Sequence, residues 1–298
     1  MSVFQLILPD FLLIGLGWLL FRKLNFRQEF FKGAEQLVYF VLFPALLFHS
    51  ITQTRLDLEA ASLALQSTVA LVAAGIALSA LAMPVLKPPA MAYASVAQCG
   101  YRFNTYIGLS LSAALGGAAG QTLMALMVGI AVPLVNMAAV RTLARQSGGN
   151  VMGQILRNPF IIATVTGLAW NLLGLPVPDV IALTFQRLGS AALALGLICV
   201  GASLTLDGLR GMGGLMSWMV AVRLMLLPVV ALTLAWALGM PANERLILLL
   251  FAALPTASST YVLAARMGGD GRLVSITMTI GTLLSALTIP FWLLIGQI

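Results

Sequence analysis

The segment Leu254-Pro255-Thr256-Ala257-Ser258-Ser259-Thr260 decides the fold, because it sets a proline and several hydroxyl side chains inside the apolar stretch 241–267. A second apolar stretch, 91–116, carries the polar run Gln98-Cys99-Gly100-Tyr101-Arg102-Phe103-Asn104-Thr105. Proline donates no main-chain hydrogen bond and clashes with the preceding turn, so a helix over 241–267 is predicted to break there. In lipid, such a break is tolerated only where the freed groups find partners or line a water-filled cavity.

The rest of the chain is similarly apolar. Of its 298 residues, 60% are hydrophobic and 8% are charged, whereas soluble domains are about 25% charged. A span needs roughly 20 mostly apolar residues, so the sequence predicts an all-α integral membrane protein. The ten predicted spans are 3–21, 33–50, 60–84, 91–116, 119–143, 158–174, 178–205, 213–239, 241–267 and 270–296.

Basic residues are concentrated in alternate predicted loops. Eleven lie on one side of the membrane, and only Arg55 and Arg245 lie on the other. The eleven are Arg22, Lys23, Arg27, Lys32, Lys87, Arg141, Arg145, Arg157, Arg210, Arg266 and Arg272. Cytoplasmic loops are enriched in Lys and Arg, so we expect a multi-pass protein of the inner (plasma) membrane with both termini outside. This distribution also accounts for the net charge of +7 without a nucleic-acid partner.

The predicted spans form two sets of five. The first set occupies 1–143 and the second 158–298, joined by a cytoplasmic linker at 144–157. An odd number of spans gives the two halves opposite orientations, so we expect two inverted five-helix repeats. Asn104 precedes Gly116 by 12 residues, and Thr256 precedes Gly268 by 12. Paired breaks in inverted halves are typical of a transporter's binding site, where helix N-termini favour an anion and C-terminal carbonyls favour a cation.

Arg102, Arg187 and Arg223 fall near the middle of predicted spans. Inserting an arginine at that depth costs about 2.5–3.5 kcal/mol. Asp10 is the one acidic residue at comparable depth, so an anionic substrate would supply the missing charge. Alternatively, these arginines pair with main-chain carbonyls or extend to the interface. The candidate substrate-binding residues are Gln98, Arg102, Asn104, Thr105, Arg187, Arg223, Pro255, Thr256, Ser258 and Ser259. No catalytic residue, metal site or cofactor is predicted.

Three motifs resemble those of the auxin efflux carrier family. They are Arg102-Phe-Asn-Thr-Tyr-Ile-Gly-Leu109, Leu254-Pro-Thr-Ala-Ser-Ser-Thr-Tyr-Val-Leu-Ala264 with Gly268-Gly-Asp270, and Phe43-Pro-Ala-Leu-Leu-Phe48. The resemblance extends over essentially the whole chain. It implies a scaffold part and a transport part, with the fourth and ninth helices unwound and crossing at the site. It also implies a small carboxylate as substrate and a homodimer.

The chain departs from the family pattern in its fourth span. Ser110 stands where members often have proline, and Phe103 stands where plant members have one. The break is therefore expected to rest on Gly100, Asn104 and Gly108.

These observations favour a secondary carrier of a small organic anion that works by alternating access. No nucleotide-binding GxxxxGK[ST] sequence is present. A channel or membrane receptor is the alternative. An intramembrane enzyme is less favoured, because a nucleophile in Gly201-Ala-Ser-Leu204 would depend on His49, the sole histidine. Sodium coupling, proton coupling and uncoupled transport all stay open.

Overall fold

A computed structural model of the chain describes residues 3–53, 58–144, 159–204, 213–257 and 259–296, and within them all regular structure is helical. The first half contains Val3–Arg22 (α1), Gln28–Gln53 (α2), Leu58–Ala80 extended by Ala82–Leu86 (α3), Ala90–Val96 with a 3-10 turn at Ala97–Gly100 (α4), and the two arms of Thr105–Ala144 on either side of Gly117 (α5 and α6). The second half contains Pro159–Leu172 (α7), Asp179–Ser203 (α8), Gly213–Ala237 (α9), Ala242–Ala253 (α10), Ser259–Arg266 (α11) and Gly271–Gly296 (α12).

The helix bounds lie within five residues of the predicted segments. The largest difference is at α2, which begins at Gln28 rather than at 33. Its first turns carry Glu29 and Lys32, and a hydropathy criterion passes over such an amphipathic start although it is helical. Six stretches of the described residues are long and apolar enough to cross a membrane. The chain is thus an all-helical, multi-pass membrane protein, and ten crossings stay a prediction.

A glycine separates α5 from α6. Gly117 has φ 58° and ψ −149°, a backbone conformation that residues other than glycine rarely adopt. The chain reverses at this point. The reversal is seen in the hydrogen bond from the Gln121 side chain of α6 to the Leu109 carbonyl of α5, at 3.4 Å. The fourth and fifth predicted segments are therefore separate helices that form a hairpin.

The helices pack in two groups. The panel group consists of α1, α2, α7 and α8, and the core group consists of α3 to α6 and α9 to α12; each helix packs mainly within its own group. Close packing of α1 on α8 depends on Gly17 and Gly201, since a Cβ on either would collide with the main chain of the other helix, at Ile198 and Ile14. Each half of the chain supplies its first two helices to the panel group and the rest to the core group.

Candidate functional site

Two interruptions in the core group contact each other. Residues 101–104 are non-helical between α4 and α5, and residues 254–257 are non-helical between α10 and α11. The Asn104 N–H donates to the Pro255 carbonyl at 2.8 Å, and the Thr256 hydroxyl donates to the Cys99 carbonyl at 2.8 Å. The predicted contact between Asn104 and the Pro255 segment is present, and its depth in the membrane stays a prediction; we call this contact the crossover.

Local sequence explains why the second interruption begins where it does. Leu254 follows the last residue of α10 with φ −59° and ψ 141°. This extended conformation is the one favoured before a proline, because the ring of Pro255 clashes with a helical residue in front of it. The break in the ninth predicted span therefore follows from the local sequence, Leu254-Pro255.

The first interruption forms without a proline. Asn104 ends it by capping α5: its side-chain oxygen accepts from the Tyr106 N–H at 3.0 Å and from the Ile107 N–H at 3.2 Å. An Asn at this position satisfies main-chain donors that a helix start leaves free. Upstream, Gly100 lets the chain approach Ser79 of α3, because a Cβ there would collide with the Ser79 hydroxyl. The predicted reliance on Gly100 and Asn104 agrees with these contacts.

Arg102 joins the two interruptions. Its side chain is 8% exposed and donates to the Gln98 side-chain oxygen at 2.9 Å and to the Ser259 hydroxyl at 3.0 Å. Ser259 is exposed and is the first residue of α11. The guanidinium thus lies beside the N-terminal end of a helix, which itself carries partial positive charge. Among the described residues, no carboxylate hydrogen-bonds to Arg102.

Among the described residues, the buried polar atoms without a hydrogen-bond partner include two at the crossover. They are the Asn104 side-chain nitrogen and the Thr260 hydroxyl, on residues 1% and 0% exposed. Buried polar groups are nearly always hydrogen-bonded, so each such atom calls for an explanation. A donor and a hydroxyl left open at the crossover are available to a bound polar solute.

Arg223 lies close to the crossover but is bonded to the main chain. It lies in a π-helical turn of α9, Val222–Leu226, is 2% exposed, and donates to the carbonyls of Phe251 and Leu254, both at 2.5 Å. These carbonyls are at the C-terminal end of α10, where a cation is stabilising. This is the carbonyl-pairing alternative considered above, so the contacts of Arg223 support a structural role.

Arg187 does not join the crossover. It is exposed on α8, whereas the buried face of that helix carries Gly189, Ala192 and Gly196. Its depth along the span was predicted from sequence, but depth does not indicate which face of a helix a residue occupies.

Two further candidates, Thr105 and Thr256, lie at the crossover. Thr105 is half-buried at the start of α5, and Thr256 is 3% exposed. Ser258 lies outside the described residues. The serine of the enzyme hypothesis, Ser203, donates to the Val200 carbonyl of its own helix at 2.6 Å.

A charged cavity reaches α11, the helix that follows the second interruption. Its volume is about 360 Å³, and its lining includes Arg22, Lys32 and Arg272 against one acid, Glu35. Tyr261 also lines it, and this residue follows Ser259 by two positions on α11. We call this cavity the vestibule. Sequence reasoning used its three cations only to assign topology; their grouping on one predicted side was the signal for a shared cavity.

Comparison with known proteins points to membrane transport. Residues 140–293 match the family described as "Membrane transport protein". Over 303 residues the chain is 26% identical to a protein of Rhizobium meliloti (strain 1021) named "Putative malonate transporter". That alignment covers 95% of this chain and 92% of the relative.

Proposed function

We propose that this chain, which belongs to the membrane transport protein family of the auxin efflux carriers, is a secondary carrier that binds a small carboxylate at the crossover. Family membership is established by a match over more than half of the sequence. The substrate class, the site and the transport mechanism are our proposal.

The observation that carries the proposal is the position of Arg102. A buried guanidinium beside a helix N-terminus brings two positive features together, and its described hydrogen-bond partners, Gln98 and Ser259, are neutral. A carboxylate accepting from Arg102 and from the N–H groups of α11 would compensate both. The open nitrogen of Asn104 and the hydroxyl of Thr260 would then serve as further contacts.

The vestibule supports the same charge preference. Its three cations and one acid favour the approach of an anion, since a cavity of one sign concentrates oppositely charged solutes. Because Tyr261 belongs to α11, an anion in the vestibule is already near the helix that begins at Ser259. Malonate, a small dicarboxylate, is the first compound to test, given the name of the Rhizobium meliloti relative.

We further propose that transport is by alternating access between two inverted repeats, 1–143 and 158–298, joined by the linker 144–157. Support comes from the division of each half between the panel and core groups, and from the matched interruptions α4/α5 and α10/α11. The basic asymmetry supports an inner-membrane location with both termini outside. A homodimer, and coupling to Na⁺ or H⁺, belong to the same proposal.

A channel or a membrane receptor is the alternative function. Asn104 and Thr260 are almost fully buried, which fits an occluding carrier better than an open pore. Saturable flux and exchange of internal for external substrate would separate a carrier from a channel, and a receptor would bind without flux.

The deciding experiment is malonate transport by purified protein in liposomes. Arg102→Gln removes the charge and should lower affinity by roughly 10- to 150-fold, because a hydrogen bond to a charged group contributes about 1.5–3 kcal/mol. Arg102→Lys should restore only part, since an ammonium lacks the planar fork. Arg187→Gln is the matched control, because this arginine is exposed and makes no crossover contact. Equal affinity in wild type and Arg102→Gln would refute the assignment.

A further inference from the structure

Asp10 is a buried carboxyl that the proposed substrate site does not use. It lies near the middle of α1 and is 7% exposed. One of its oxygens, Oδ1, accepts a hydrogen bond from the Ser110 hydroxyl at 2.8 Å. The other, Oδ2, is buried and has no hydrogen-bond partner. Half of this carboxyl is therefore without compensation in an apolar surrounding.

Charged groups are scarce on the helices packed against α1. Its own other charge is Arg22, three turns further along. On α8 the charges are Asp179 in the first turn and the exposed Arg187, and Cys199 is also titratable. The hairpin α5–α6 carries Tyr106 and, in its last turn, Arg141, and α12 carries Arg272 in its first turn. None of the described hydrogen bonds or ion pairs joins a cation to Asp10.

This setting favours the neutral acid. An ionised carboxylate buried without a cation is strongly unfavourable, and such a group takes up a proton instead. The Ser110 hydroxyl then bonds the carbonyl oxygen of the acid, and the proton resides on Oδ2. Ionisable residues within membrane-spanning helices often serve as proton relays for the same reason.

The Asp10–Ser110 hydrogen bond also joins the two helix groups. Asp10 belongs to the panel group, and Ser110 belongs to α5, six residues after the crossover residue Asn104. Movement of the core group past the panel group would separate the two side chains and give Asp10 access to water. Proline, which family members often have at the position of Ser110, could not supply this hydroxyl.

We propose that Asp10 is a proton-binding site of the carrier, which holds a proton while bonded to Ser110 and releases it when α5 moves away. In that step the O–H bond of the carboxylic acid breaks, its electron pair stays on the carboxylate, and the proton passes to water. This inference rests on the proposed carrier function, since it couples the proton to substrate movement.

The first test needs no substrate. Infrared spectra of the purified protein in lipid at pH 7 should contain the C=O stretching band of a protonated carboxyl, and Asp10→Asn should lose it. Asp179→Asn, the same change at an exposed position on α8, should keep the band. Ser110→Ala should move the band to higher frequency, because its carbonyl loses a hydrogen bond. If the band is absent from wild type or survives Asp10→Asn, the proposal is wrong.

The second test measures coupling with labelled malonate in liposomes. A pH gradient should drive accumulation by wild type, and a sodium gradient at equal pH should not. Asp10→Asn should lose the accumulation while keeping exchange of internal for external malonate. Accumulation by Asp10→Asn equal to wild type would overturn the coupling. If wild type moves no malonate or other small carboxylate, the carrier proposal fails, and the infrared result still decides whether Asp10 holds a proton.

Discussion

Replacing Arg223 by Met tests whether this arginine holds the C-terminal end of α10. The guanidinium is 2% exposed and donates to the Phe251 and Leu254 carbonyls, both at 2.5 Å. Met fills a similar volume but leaves two buried acceptors without donors, at about 1–3 kcal/mol each. Removing a buried charge offsets part of that loss, so we expect a net destabilisation of ~2 kcal/mol.

The assay is thermal unfolding of purified protein in detergent, followed by tryptophan fluorescence. A loss of ~2 kcal/mol corresponds to a fall in midpoint of roughly 4–8 °C for a protein of this size class. Arg223→Lys should recover part of the fall, because one ammonium can bond one of the two carbonyls well. Arg187→Met is the matched control at an exposed arginine and should change the midpoint little. A midpoint unchanged in Arg223→Met would refute the structural role and reopen Arg223 as a substrate ligand.

Two other changes follow from the vestibule and from helix packing. Lys32→Gln removes one charge that attracts the anion into the vestibule. It should raise the malonate KM a few-fold at low ionic strength and little at high salt. An effect independent of salt would contradict this. Gly17→Val should sharply reduce the yield of folded protein, because the valine side chain would collide with the Ile198 main chain. Gly15→Val on the same helix is the control, since there is open space around that position. Equal yields by size-exclusion chromatography would show that the α1–α8 contact is unimportant.

Helix positions could be predicted because lipid imposes them. A chain that must satisfy every main-chain group within the bilayer forms helices wherever it is apolar for long enough. The second interruption could be predicted because Pro255 acts locally on Leu254. The first was harder, since the chain has no proline there; the polar run and the 12-residue spacing indicated it, and the cap formed by Asn104 produces it.

The roles of the three arginines could not be predicted. Their depth along the spans was readable, but their neighbours depend on how helices far apart in sequence pack. Arg223 reaches carbonyls 28 and 31 residues away, and Arg102 reaches a hydroxyl 157 residues away. Arg187 lies at a similar depth but on the exposed face of α8. The sequence therefore identified three charges that are costly to place in the membrane. Only the packing of the helices distinguished the roles of these charges.

The interruptions also bear on the choice of coupling ion. Carbonyls at broken helix ends are the groups that would bind a sodium ion. At the end of α10, the carbonyls of Phe251 and Leu254 accept from Arg223, and at the end of α4 the Cys99 carbonyl accepts from Thr256. These acceptors are thus engaged by protein donors, and a guanidinium at one of the two ends repels a cation.

The opposite end, at the start of α11, has a second guanidinium and no described carboxylate beside it. A crossover arranged in this way favours an anion and disfavours a metal cation, so a coupling cation is expected to bind elsewhere. Asp10, buried on α1 and open at one oxygen, is the proton site that we propose.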